Sequence, residues 1–407
     1  MEKTFFDQFR TGDYQRSNFE DFLSAVNFHY EVPSIHITGT NGKGSTACYI
    51  ASAYTANGYK VGLFKSPFLH EFNEMISING NNIKDEEFLE IYNQYKKQID
   101  KYKLSAFEVQ TFIAFIYFKN NNCDISVIEC GMGGEVDATN IFTPVLSIIT
   151  TISLEHTEYL GYSITEIATQ KAGIIKDEVP VLIGDLSEDA LTVIVKKSKE
   201  TNSKICYMGH YVNMTYSETG YSFDYGEFND VKLTSVADYS VTDASMALEA
   251  IKVLKDRFNY DVNKVKEGLA KVVMDCRMNV VSKKPLVIID GAHNPEAMKK
   301  LCSNQLFLVT KDKPIHVIFA CFRDKNLGNM FSSLGAVSND ISLTTFDHPR
   351  ARTEDEYFLF MGDYPFFSDA KELLKAKMNE FPDDAILITG SLAFAAYMKE
   401  LFDKGTF

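Results

Sequence analysis

A chain of 407 residues exceeds what one hydrophobic core usually holds, so two domains are expected, and its 45% hydrophobic and 24% charged residues exclude disordered and fibrous classes. A formal net charge of −14 excludes a general nucleic-acid surface, which needs clustered Lys and Arg, but leaves room for a local anion pocket of loop amides, one lysine and a metal ion. The seven cysteines are odd in number, scattered and without a C-x-x-C pair, which fits a reduced compartment.

The N-terminal MEKTFFDQFRTGD has no basic stretch followed by an apolar one, and no apolar run approaches the ~20 residues of a membrane span, so a cytoplasmic protein is expected. From residue 35 short apolar runs alternate with helical patterns: IHIT, a helix after Lys43, VGLF, a helix from Asp85, ISVIE and VLSIIT. Such alternation predicts a mostly parallel sheet flanked by helices, with ligands at the carboxyl ends of the strands. Between about 204 and 236 the segments KICYMG, VNMTYS, YSFDYG and VKLTSV, separated by turn residues, predict a small antiparallel sheet appended to the first domain. The helical stretch SVTDASMALEAIKVLKDRF follows. A second α/β series runs from LVIID near 286 through a helix at about Pro295, IHVIFA, ISLTTF and AILITG to an amphipathic helix ending at Phe402. The segment VVMDCRMNVVSKKP is the expected boundary, giving domains 1–280 and 281–407.

The strongest single motif is IHITGTNGKGSTACYIASAY, an apolar strand, a glycine-rich turn and a helix. Gly39, Gly42 and Gly44 let backbone N–H groups of the 39–45 loop (Gly39, Thr40, Asn41, Gly42, Lys43, Gly44, Ser45) face phosphate oxygens, the helix N-terminus adds its positive dipole end, and Lys43 supplies a charge. It is not a literal G-x-x-x-x-G-K-[ST], because residue 37 is Ile and Gly44 separates Lys43 from Ser45. The alternative is a glycine-rich turn kept for packing. Glu129 ends the strand ISVIE, where an acid in a P-loop protein can hold Mg²⁺ directly or through water, the alternative being a strand-end Glu without a metal, and Glu155 and His156 follow VLSIIT. Lys171 lies on the helix-like ITEIATQKAGIIK. The succession of Lys43, Glu129 and His156 at strand ends, rather than any one of them, points to a site.

The blocks TGTNGKGS, SPFLHEFNEMISING, AFEVQTFIAFIYF, ECGMGGEVDATN, KAGI, DGAHNP and TGSLAFAAY, in that order over nearly the whole chain, resemble those of folylpolyglutamate synthases. The resemblance implies an α/β fold: a P-loop Mur-ligase-like domain with a small antiparallel sheet, then a C-terminal Rossmann-like domain, with ATP held between them. It implies ATP and Mg²⁺ as cofactors, folate or dihydropteroate and L-glutamate as substrates, no nucleic-acid or membrane partner, and a monomer. By matching position, Ser66, Glu129 and His156 would serve magnesium, and Lys171 would be a carbamylated, anionic ligand. Arg277 and Asp290 would contact ATP, with Asp290 on the ribose or aiding the amine substrate. Phe68, Asp137 and Asn140 would meet the substrate, and His293 would assist loss of the amine proton.

Met75 and Glu135 stand where arginines are usual, Lys65 where Thr is common, Glu155 for Asp, Asp243 for an adenine-contacting Asn, and Asp275-Cys276 for Pro-Gly before Arg277. The missing arginines leave the acidic co-substrate open, with compensation by Lys65, Arg350 or Arg352, or a different acyl acceptor. The expected reaction is acyl-phosphate formation followed by attack of glutamate's amine. Two other readings are a Mur-type ligase for another carboxylate and amine, and a nucleotide-binding regulator that has lost ligation.

Overall fold

The structure is a computed structural model describing residues 3–9, 16–325, 327–360 and 362–407. It divides into two units, one of Met1–Met214, Phe223–Lys232 and Thr242–Val272, the other of Thr215–Ser222, Leu233–Val241 and Val273–Phe407.

Eight strands make the sheet of the first unit: β1 (Ser34–Thr38), β2 (Val61–Phe64), β3 (Ile76–Ile78), β4 (Asn81–Asn82), β5 (Ile125–Glu129), β6 (Leu146–Ile149), β7 (Val181–Ile183) and β8 (Ile205–Tyr207). Their order is β4-β3-β2-β5-β1-β6-β7-β8, parallel throughout except for β3 and β4 at one edge. β1, β5 and β6 are buried along their whole length, as continuous apolar runs covered on both faces must be. From β1 the chain passes to β2 on one side and later to β6, β7 and β8 on the other, so the order reverses at β1 and a crevice opens at its carboxyl end.

The helix Ala106–Asn120 is buried nearly all round, which its unbroken FIAFIYF requires. Phe112, Phe115 and Phe118 join Phe19, Phe22, Phe64 and Phe88 in one cluster, with edge-to-face pairs such as Phe22–Phe112 at 4.8 Å between ring centres.

KICYMG corrects one expectation. It forms β8, which pairs parallel with β7 through Val181↔Ile205, so it closes the large sheet rather than opening the small one. Alternation marks a strand without naming its neighbour. The small sheet is β9 (Val212–Ser217), β10 (Gly220–Tyr225) and β11 (Phe228–Leu233), in the order β11-β10-β9. Connections this short between hydrogen-bonded neighbours leave only the antiparallel arrangement.

The sheet of the second unit contains β12 (Asn279–Lys283), β13 (Leu286–Ile289), β14 (Ile315–Phe319), β15 (Asp340–Thr344), β16 (Phe366–Phe367) and β17 (Ala385–Thr389). The order is β12-β13-β17-β14-β15-β16, with only β12 antiparallel to its neighbour. β12 therefore lies inside the stretch read as the boundary. His316, Asp340, Asp384 and Lys377 tie the strand starts together: the ring nitrogens of His316 lie 2.6 and 3.0 Å from the two aspartates, and Lys377 Nζ is 2.7 Å from Asp340. All seven cysteines are free, and among the described residues no helix is long and apolar enough to cross a membrane.

Candidate active site

β1 ends at Thr38 and the helix Lys43–Ala56 begins after a turn of residues 39–42. Gly42 caps that helix with φ +84°, a conformation costly to a residue with a Cβ. Gly39 lies so close to Thr150 that any side chain would overlap the threonine hydroxyl. Two threonines just past β6 hold the loop: Thr40 N donates to Thr151 O (2.8 Å), Asn41 N to Thr151 Oγ1 (2.9 Å), and Thr150 Oγ1 to Asn41 O (2.7 Å). In the sequence Thr150 and Thr151 carry no signal beyond a Thr-Thr pair at the end of an apolar strand. Lys43 Nζ donates to Thr40 O at 3.1 Å, and Ser45 is buried in the first helical turn.

Glu129, the last residue of β5, is buried, and its Oε2 accepts from Ser66 N at 3.0 Å. A Cβ on Gly44 would lie 3.1 Å from the same oxygen, so the carboxylate faces the first turn of the phosphate-loop helix. Lys171, only 3% exposed near the end of the helix Ile164–Ala172, donates from Nζ to Gly39 O at 2.7 Å. Burial and, next, the charge of Lys43 bring its amine down to about 7. His156 caps the short helix Thr157–Leu160 with φ +52°. The structure thus gathers residues 39–45, Ser66, Glu129 and Lys171 at one end of the sheet.

Among the described residues no group of three or more His, Cys, Asp and Glu forms a metal cage. Magnesium shared with phosphates needs only one or two protein carboxylates, and Glu129 beside the phosphate loop meets that demand.

Asp137 accepts from Met132 N (2.8 Å) and Thr139 N (2.9 Å), while Asn140 Nδ2 donates to Glu135 O (3.0 Å) and Gly173 O (3.2 Å). Both side chains shape the 129–140 loop. Arg16 also supports it, donating to the carbonyls of Glu135 and Asn140; nothing in the sequence flagged that contact. Beneath, His36 Nε2 lies 2.9 Å from Thr139 Oγ1 and 3.1 Å from Cys130 Sγ. Burial lowers His36 to about 3 and pushes the Cys130 thiol up, so both are neutral packing groups. Phe68, in contrast, is 39% exposed on a loop whose Leu69, His70 and Glu71 amides all donate to the Glu74 carboxylate.

The departures now have surroundings. Met75 is 3% exposed and belongs to the aromatic core, so its side chain is not a substitute in a polar substrate contact. Glu135 is exposed, and the Asp243 carboxylate abuts the Gly42 turn.

In the second unit Asp290 follows β13, buried, with Oδ2 accepting from Tyr239 Oη (2.7 Å) and Met278 N (2.9 Å) and Oδ1 from Ala292 N (2.8 Å). His293 Nδ1 lies 2.9 Å from Gly291 O; a carbonyl only accepts, so Nδ1 is the donor and carries a proton. Cys276 adopts φ +59° where the resemblance leads one to expect glycine, and Arg277 Nη1 donates to Cys276 O at 3.2 Å. Arg350 pairs with Asp324 at 3.0 Å, and Arg352 donates to the carbonyls of Arg323, Lys325 and Glu356.

A doubly wound sheet with a phosphate loop at its reversal point, and a second α/β unit, define a nucleotide-dependent α/β protein. The chain matches the Mur ligase middle domain over residues 37–251 and the Mur ligase glutamate ligase domain over 276–392. It is 33% identical to a folylpolyglutamate synthase of Lacticaseibacillus casei, covering 96% of this chain and 94% of that protein. It is 31% identical to a dihydrofolate synthase/folylpolyglutamate synthase of Bacillus subtilis (strain 168), covering 91% and 90%. A solved folylpolyglutamate synthase complex with AMPPCP and folate superposes with a TM-score of 0.86 at 31% identity, covering 98% of this chain and 97% of that one. The chain belongs to the folylpolyglutamate synthase/dihydrofolate synthase family of Mur ligases.

Proposed function

We propose that this protein is an ATP-dependent ligase that joins L-glutamate to a carboxylate of folate, with or without the related addition of glutamate to dihydropteroate. The observation that carries the reading is the gathering of the phosphate loop, the Glu129 carboxylate and the buried Lys171 amine at the reversal point of the first sheet. Near-full-length similarity to family members supports the choice of substrates.

The carboxylate oxygen attacks the γ-phosphorus of ATP, the bond to the ADP oxygen breaks, and an acyl phosphate forms. The amine nitrogen of glutamate then attacks the acyl carbon and the carbon–oxygen bond to phosphate breaks. The amine must lose a proton, and we assign assistance of that loss to His293, whose ring is held through Nδ1 at Gly291 O. Amides of residues 39–45 and the Lys43 ammonium hold the triphosphate. Glu129, Ser66 and His156, with Lys171 as its carbamate, would hold magnesium, which supplies charge neutralisation between carboxylate and triphosphate. Arg277 and Asp290 are assigned to ATP, and Phe68, Asp137 and Asn140 to the pterin-bearing substrate. Asp137 and Asn140 would act through the loop shape they maintain. We assign a P-loop ATP-binding domain to residues 1–280 and a C-terminal Rossmann-like ligase domain, which contributes Asp290 to the ATP site, to 281–407, in a cytoplasmic monomer with no nucleic-acid or membrane partner.

Phosphate release measured against a matrix of folate forms, dihydropteroate and amino acids tests the reading. Release that needs both a folate and L-glutamate, with an amide product, is expected. An amide product from another carboxylate–amine pair would make it a different Mur-type ligase. Tight ATP binding without any amide product would make it a regulator.

A further inference from the structure

A cavity of about 470 Å³ lies within the second unit, alongside the edge strand β12. Its charged lining is one-sided: among the described residues Arg277, Lys283, Lys311 and Lys313 are basic, and Glu218 is the single acid. Glu218 is itself ion-paired with Lys311. Between the charges the wall is apolar, from Met278, Val280, Leu286 and Val309.

Position separates most of this cavity from the strand ends that bear Asp290 and His293. Lys283 pairs with Leu286, the first residue of β13, and Lys311 and Lys313 immediately precede β14, so these three lysines gather at the amino ends of parallel strands. Asp290 and His293 follow the carboxyl end of β13. Arg277 borders the cavity toward that far end, one strand length away along β12.

In a chain of net charge −14, Arg277, Lys283 and Lys313 around one concavity, in excess of the Lys311–Glu218 pair, form a local field of opposite sign that draws anions. The volume falls within the ~300–1,000 Å³ range of small-molecule sites, and an apolar wall with a few placed charges is how such sites orient a ligand. We infer that this cavity is a second ligand site, taking an organic anion with an apolar or aromatic body and at least two negative charges. Two sources carry that chemistry: a nucleoside triphosphate and a folate bearing several γ-linked glutamates. The second source rests on the proposed function; the site itself does not.

Calorimetric binding of ATP and of pteroylpentaglutamate to the full chain, each in a Lys43→Ala background that weakens the phosphate loop, tests the site. At least one probe should still bind near one-to-one, and Lys283→Glu with Lys311→Glu should weaken it ten-fold or more. Lys283→Gln with Lys311→Gln should act in the same direction by less, and it decides the matter if charge reversal impairs folding. Persistence of ATP binding alone identifies a nucleotide site, and of pteroylpentaglutamate alone a folate site. Absence of binding by both probes, or constants within two-fold after both pairs of substitutions, overturns the inference. Glutamate ligation by the unsubstituted protein is assayed alongside. Lysine-dependent binding without ligation sinks the proposed function and leaves this site standing; ligation without lysine-dependent binding does the reverse.

Discussion

The two strand-end regions that carry the candidate residues are built on different plans. At the end of β1 the backbone does the folding: threonines 150 and 151 and the glycine turn set the loop, while Lys43, Glu129 and Lys171 reach it as side chains from separate elements. At the end of β13 the acid does the folding, because Asp290 gathers three donors from its own unit. On the proposed roles, chemistry and stability are therefore separable in the first region and fused in the second.

The largest effect should come from the first region. Lys43→Ala removes a charge from a loop that backbone and threonine contacts already hold, so turnover should fall ~10²-fold or more. The melting temperature should barely move. Stopped-flow or steady-state phosphate release alongside thermal melting checks both; near-unchanged turnover would remove the phosphate-loop assignment.

Lys171 sharpens the same contrast. Only a neutral amine reacts with CO₂, and with the amine at about 7 the neutral fraction rises from roughly a tenth at pH 6 to nine-tenths at pH 8. Bicarbonate-dependent activation should rise over that window, and Lys171→Ala should lose about ten- to a hundred-fold in turnover, partly restored by short carboxylates. The sign for stability follows from linkage. The folded value, about 7, lies below the ordinary 10.5, so the unfolded chain binds the extra proton between them and the unmodified protein gains stability as pH rises through that window. Lys171→Met should flatten that rise in denaturant titrations made without bicarbonate; an unchanged slope would show that the amine is not depressed.

Asp290→Ala breaks the second plan. It leaves the Met278 and Ala292 amides and the Tyr239 hydroxyl without their acceptor, at a cost of about 3 kcal/mol or more. Stability and turnover should fall together, whereas loss of turnover at full stability would mean that Asp290 serves the reaction alone.

Much of both regions was legible in the chain. The strand–turn–helix around TGTNGKGS, the acid closing ISVIE and the second series from LVIID to AILITG carry local patterns that tertiary structure did not override. What escaped was contact between distant segments. Arg16 reaches carbonyls more than a hundred residues away, Thr151 holds Asn41, and β8 chooses β7 as its neighbour. Residue type and period define an element's faces, not which distant group will meet them.

Met75 and Glu135 show the same gap at single residues, and Glu135 leads to the smallest expected effect. In sequence Met75 and Glu135 look alike, both standing where arginine is usual; in the structure one is core and the other exposed. Met75→Arg would bury a guanidinium among phenylalanines and should destabilise by roughly 3 kcal/mol or more, whatever it does to substrate binding. Glu135→Arg carries no such penalty. It exchanges a repelling charge for a fork of donors on the loop that Arg16, Asn140 and Asp137 shape, and a charge-assisted hydrogen bond contributes roughly 1.5–3 kcal/mol when fully formed. On an exposed loop solvent screens most of that gain, so a KM lowered about two- to five-fold for glutamate or for a folate polyglutamate is expected, with kcat unchanged. Measuring KM for glutamate and for folate mono- and polyglutamates with Glu135→Arg alone decides it. A fall confined to one acidic substrate identifies what the loop faces, and equal constants for all of them would show that position 135 does not set specificity.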